Sequence, residues 1–120
     1  MKLSTEGEPV RGDDLVLILG ALANPLRLRI MATLFQERDY VSHLARVIGI
    51  SRPLLHMHLQ RLEAAGLVVG SLELSEDGKA MKYFAVADFA LPLTPALLAE
   101  AAKTLTPTDP VKGSPSTEEP

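Results

Sequence analysis

The chain has 120 residues with a formal net charge of −3, and 47% of them are hydrophobic and 22% charged, the balance of an ordinary globular protein with material for one core. It contains no cysteine, which excludes disulfides, a thiolate nucleophile and zinc–thiolate sites. The longest apolar run, Leu15 to Ala23, is about half of the ~20 residues a bilayer span requires, and the acids Glu6, Glu8, Asp13 and Asp14 oppose a secretory signal, so a cytoplasmic protein with no membrane partner is expected.

Residues 1–12, which include Gly7, Pro9 and Gly12, are expected to form a flexible N-terminus. Asp13 or Asp14 can then cap a first helix running to Ala23, where Asn24-Pro25 stops it. Leu15, Val16, Leu17, Ile18, Leu19, Ala21 and Leu22 make this helix apolar on nearly every face. One core covers only one stripe of a helix, so the rest of the surface calls for a partner, and a homodimer is inferred. A second helix, about 26–36, is expected to turn Leu28, Ile30, Met31, Leu34 and Phe35 inward and Arg27, Arg29 and Gln36 outward. Glu37-Arg38-Asp39 breaks it.

Residues 40–65 read as two short helices joined by a tight turn at Ile48-Gly49-Ile50. Gly49 gives the backbone its freedom at the bend, Ser51 can cap the next helix, and Pro53 falls in the first turn, where its missing N–H costs little. This is a helix-turn-helix, whose second helix places its N-terminal end in the major groove of DNA. Leu55, Leu59 and Leu62 share one face of that helix. The other face holds Pro53, His56, Met57, Gln60 and Arg61, with Ser51 and Arg52 at the tip, and these seven are the candidate groove residues.

Gly66 is placed to end the helix in a left-handed conformation. LVVGSLEL, SEDGKA and MKYFAV then read as strand, turn and strand with Asp77-Gly78 as the hairpin signal, which is the shape of a DNA-binding wing. Lys79 and Lys82, expected at or near its tip, are candidate phosphate contacts. Thr94-Pro95 starts a last helix whose apolar stripe is Leu97, Leu98, Ala101, Ala102 and Leu105. The expected fold is therefore mainly α with a small β-hairpin (α+β): four helices, a hairpin and a fifth helix forming one winged helix-turn-helix domain over 13–105. Residues 106–120 hold four prolines and little to bury, and they are expected to be disordered.

The net charge hides a division along the chain. Residues 24–83 carry eight bases against six acids, whereas residues 1–23 and 106–120 each sum to −2. DNA affinity follows the local field rather than the overall balance, so the basic centre permits nucleic-acid binding. Catalysis finds no comparable support. Asp39, Ser42 and His43 are triad residue types, but no nucleophile elbow, phosphate-cradling loop or H-E-x-x-H motif accompanies them.

The order of elements resembles the ArsR/SmtB family of bacterial winged-helix repressors. Asn24-Pro25-Leu26-Arg27-Leu28-Arg29-Ile30 is similar to that family's (D/N)-P-x-R-L-x-I stretch. Leu44-Ala45 with Ile50-Ser51-Arg52-Pro53 is similar to its helix-turn-helix, and His58-Leu59 through Leu67-Val68 to its H-L-x-x-L-x-x-A-G-L-V run. The resemblance implies a homodimer formed by the first and last helices, with Leu15, Leu17, Ile18, Leu22, Leu97, Leu98, Ala101 and Leu105 as candidate interface residues. It further implies two recognition helices on a palindromic operator in double-stranded DNA and a transcriptional regulator of repressor type.

The sensor departs from the family pattern. Where metal-responsive members carry cysteines or Asp/His sets, this chain has Val41-Ser42-His43-Leu44 and Leu97-Leu98-Ala99-Glu100. His43, His56 and His58 are the remaining candidate ligands, and with no thiolate they would favour nickel or zinc. His56 and His58 are two apart on a helix and cannot share one ion. Alternatives open from the sequence are a DNA-binding subunit whose effector, nickel for example, is sensed by a separate partner protein, and an activator rather than a repressor.

Overall fold

The computed structural model describes residues 9–107. Helices α1 (Gly12–Leu22) and α2 (Pro25–Gln36) meet at 90°. The corner is made by Asn24, whose side-chain oxygen accepts from the N–H groups of Leu26 (2.9 Å) and Arg27 (3.1 Å) while Pro25 occupies the first helical turn, satisfying donors that the helix itself leaves unpaired. After α2 come strand β1 (Asp39–Tyr40), helices α3 (Val41–Ile48) and α4 (Arg52–Ala64), strands β2 (Val68–Leu74) and β3 (Ala80–Val86), and helix α5 (Pro95–Ala102). The fold is the expected winged helix-turn-helix with one addition: β1 pairs antiparallel with β3 and completes a three-stranded sheet in the order β1-β3-β2.

The core lies where α1, α2, α3 and α4 converge on the inner face of the sheet. Ile18, Ile30, Leu34, Leu44, Leu55, Leu59, Leu62, Leu67, Val68 and Phe84 are all buried there. Leu55, Leu59 and Leu62, predicted from their spacing, are 0% exposed. In α2 the inward set is smaller than expected. Ile30 and Leu34 are buried and Met31 packs against the core, but Leu28 and Phe35 are exposed, because a helix laid across a core edge covers only a narrow stripe.

The start of α1 is also corrected. It is neither Asp13 nor Asp14 but Arg11 that occupies the N-cap, without a side-chain bond. The first turn is held instead by the chain's far end: the Gly12 N–H donates to Thr104 Oγ1 at 2.7 Å, and Asp13 accepts from both the N–H and the hydroxyl of Thr106. Val10 packs against the core, so order begins before residue 13; residues 1–8 and 108–120, most of the two segments expected to be flexible, lie outside the described residues. Helix α5 opens as expected, with Thr94 Oγ1 accepting from Leu97 N–H at 3.1 Å, and ends at Ala102, so Leu105 stands beyond it.

Among the described residues no single helix is long and apolar enough to cross a membrane.

Candidate nucleic-acid interface

Helix α3 ends at Gly49, whose φ of 87° is the left-handed conformation that a residue with a Cβ resists. Its N–H and that of Ile50 both bond to Ala45 O, at 2.8 and 3.1 Å. The chain then turns into α4 through Ser51, whose hydroxyl accepts from Leu54 N–H at 3.3 Å. Leu55, His58, Leu59 and Leu62 fix α4 against the core. Ser51, Arg52, Pro53, His56, Met57, Gln60 and Arg61 remain on the surface, as the sequence reading placed them.

These residues border two features. Ser51, Arg52 and Pro53 stand at the helix tip, with His56 on the first turn above. Met57, Gln60 and Arg61 instead border a groove shared with Val16, Leu17 and Gly20 of α1 and with Arg27 of α2.

The wing is less basic than its lysines suggest. Its five-residue loop, Ser75 to Lys79, carries Glu76 and Asp77 beside Lys79, and Ser75 organises it by accepting from Lys79 N–H at 3.1 Å and bonding the Asp77 carboxylate. That hydroxyl, more than any other contact, holds the Asp77 carboxyl below its usual range. Lys82 is not at the tip: it pairs with Leu72 inside the ladder, and its ammonium lies 5.7 Å from the centre of the Phe84 ring. Arg38, counted with the basic centre, is withdrawn from it by Glu73, to which it bonds through both terminal nitrogens at 2.5 and 3.1 Å, while its guanidinium lies 4.4 Å over Tyr83. Sequence reasoning missed this pair because it joins residues 35 positions apart.

The three histidines go to three places. His43 bonds Asp39 at 2.5 Å on the surface, with no hydrogen bond from Ser42 among the described residues. His56 is exposed, and His58 is 5% exposed with its Nδ1 unpartnered. Burial first, and then the positive charges of Arg27 and Arg61, push His58 below the usual imidazole range. Among the described residues no three His, Asp or Glu side chains are placed to hold a metal ion.

The candidate interface residues of α1 and α5 divide similarly. Leu15, Ile18 and Ala101 are buried within this chain, so their side chains are spent on its own packing and cannot face a partner. Leu22 and Leu97 are half-buried. Leu17, Leu98 and Leu105 are exposed, and with them Val16 and Leu19.

A recognition-type helix held at a fixed angle by an αL turn and flanked by a three-stranded wing defines the class of winged helix-turn-helix regulators. Comparison with known proteins makes the assignment specific. Residues 24–69 match the model of the bacterial regulatory proteins of the ArsR family. The chain is 34% identical over 76 residues to an uncharacterised helix-turn-helix transcriptional regulator of Methanocaldococcus jannaschii, a match covering 63% of this chain and 79% of that one. It is 35% identical over 79 residues to the nodulation protein NolR of Rhizobium meliloti, covering 66% of this chain and 62% of NolR. Among solved structures, a domain from Mycobacterium bovis described as a homodimeric winged helix-turn-helix DNA-binding domain superposes with a TM-score of 0.57 at 25% identity, covering 76% of this chain and 74% of that one. NolR of Sinorhizobium fredii shares the fold with a TM-score of 0.53 at 24% identity, over 81% and 92% of the two chains.

The chain belongs to the ArsR family of transcriptional regulators. Its family and fold are those of regulators and not of enzymes.

Proposed function

We propose that the protein binds double-stranded DNA as a homodimer and represses transcription from a palindromic operator. The carrying observation is the N-terminal end of α4: Ser51, Arg52, Pro53 and His56 stand exposed on a helix whose opposite face is fully packed, so the reading residues are presented by a rigid element. Exposed Leu19, Leu98 and Leu105 around the packed α1–α5 pair support self-association. So does the homodimeric M. bovis domain. A two-fold dimer would present two α4 tips to half-sites about one helical turn apart. Such a protein works in the cytoplasm, beside the chromosome.

The test is selection of duplexes from a random pool, combined with sedimentation. A palindromic consensus and a dimer at micromolar concentration are expected, and Leu98→Glu should abolish both by burying a charge without a partner. A monomer that still selects a single asymmetric site would overturn the two-half-site reading.

A nickel or zinc response is supported by one feature, the Asp39–His43 pair, whose carboxylate fixes the imidazole as metal sites often do. A single imidazole oriented in this way holds an ion weakly, so calorimetry should give a weak heat that His43→Ala removes. Tight binding that survives His43→Ala would move the metal elsewhere, and no heat from either ion would favour a separate sensor subunit or a non-metal effector.

A further inference from the structure

The groove between α1 and α4 has a volume of about 530 Å³, within the range of small-molecule sites. Its walls are apolar, formed by Val16 and Leu17 on one side and Met57 and Ala64 on the other. At Gly20 it is unfilled: an added Cβ would meet no atom within 4 Å. The polar groups are Arg27, Gln60 and Arg61. The Arg27 Nε is buried without a hydrogen-bond partner, and neither arginine makes an ion pair with a described carboxylate. Two guanidiniums of like charge therefore stand at one apolar groove, one of them with a buried donor unsatisfied. Such donors ordinarily find an acceptor, and arginine is matched to carboxylate geometry.

We infer that this groove binds a small organic carboxylate with an apolar body, its carboxylate between Arg27 and Arg61 and its tail along Leu17, Gly20 and Met57. The inference rests on the DNA-binding reading for its regulatory half. Gln60 and Arg61 belong to the helix that carries Arg52 and His56, so a ligand here joins the recognition helix to α1. Its single negative charge also offsets part of the positive charge of Arg27 and of Arg61 in the last turn of α4, which weakens attraction to phosphate. Binding of the carboxylate should release the operator.

A DNA phosphate is a poorer occupant, since it would leave the apolar walls of Val16, Leu17 and Met57 uncovered. Gly20 and Leu17 lie 100° and 160° around α1 from Leu19, so a partner seated on Leu19 leaves the Leu17–Gly20 part of the groove free.

Octanoate is the probe and 1-octanol its uncharged control, both titrated by calorimetry into the full chain. Octanoate is expected to bind once per protomer and at least about tenfold more tightly than octanol, because only the carboxylate meets the arginines. Arg27→Gln and Arg61→Gln should each lose about tenfold or more, and Gly20→Leu, which fills the groove while keeping both arginines, should abolish binding. On the selected operator, octanoate should weaken the native complex and leave the Gly20→Leu complex unchanged. Absence of octanoate binding, equal binding of octanol, or octanoate heats unchanged in all three variants would overturn the site. Arg27→Gln and Arg61→Gln weakening DNA without altering octanoate would reassign both as phosphate anchors. Octanoate bound without effect on the operator complex would overturn the regulatory half alone, whereas octanoate bound by a protein that selects no duplex would leave the site standing and sink the DNA-binding reading.

Discussion

Gly12→Val is expected to destabilise the protein by an amount at the upper end of ~1–3 kcal/mol, the cost of forcing atoms into a packed contact. A Cβ at Gly12 would lie 2.4 Å from the backbone oxygen of Ala101 and 2.8 Å from the side chain of Leu105. Backbone cannot yield as a side-chain end can, so α1 and α5 must separate. The same movement would strain the Gly12–Thr104 hydrogen bond and the contact of Asp13 with Thr106. Gly20→Ala, in the same helix, is the contrast: with open space around its Cβ, it should gain ~0.5–1 kcal/mol from reduced backbone entropy. Urea unfolding of both variants checks the pair. Because α1 and α5 carry the exposed Leu19 and Leu98, Gly12→Val should also shift sedimentation toward monomer. Equal, small effects at the two glycines would show that the α1–α5 contact contributes little.

Where the physics is local, the sequence is legible. Asn24-Pro25, Ser51-Arg52-Pro53 and Thr94-Pro95 each place a capping oxygen one or two residues ahead of a proline, and all three side chains cap their helices. The spacing of Leu55, Leu59 and Leu62 gives the buried face of α4, and the bend at Gly49 gives the angle between the two helices. What escaped reading depends on distant residues. Strand β1 is two residues long and exists because Asp39 and Tyr40 find Phe84 and Tyr83 across the sheet. Gly12 reads as a loop glycine, yet it is the close approach of α5 that requires it. The charge count of the central block included Arg38, whose partner Glu73 lies on the wing. Within the candidate site, composition gave the residue types at the tip of α4, but the division of its outer surface into a tip and a groove needed the position of α1.

Arg52→Ala should reduce discrimination between the selected operator and random duplex by ~1–3 kcal/mol, the worth of one bidentate base contact. Arg52 is the first residue of α4, exposed, and forms no ion pair among the described residues. Its guanidinium is therefore available to guanine rather than held by the protein. Arg38→Ala provides the opposite case, since that guanidinium is occupied by Glu73 and Tyr83, and operator affinity should hardly change. Lys79→Ala, at the wing tip, should weaken operator and random DNA alike and flatten the salt dependence by about one unit if the lysine touches phosphate. Titrations of each variant on both duplexes at several salt concentrations separate these roles. An Arg52→Ala protein that loses the same affinity on both duplexes would make Arg52 a phosphate anchor, and specificity would then have to come from His56, Gln60 or the shape of the DNA.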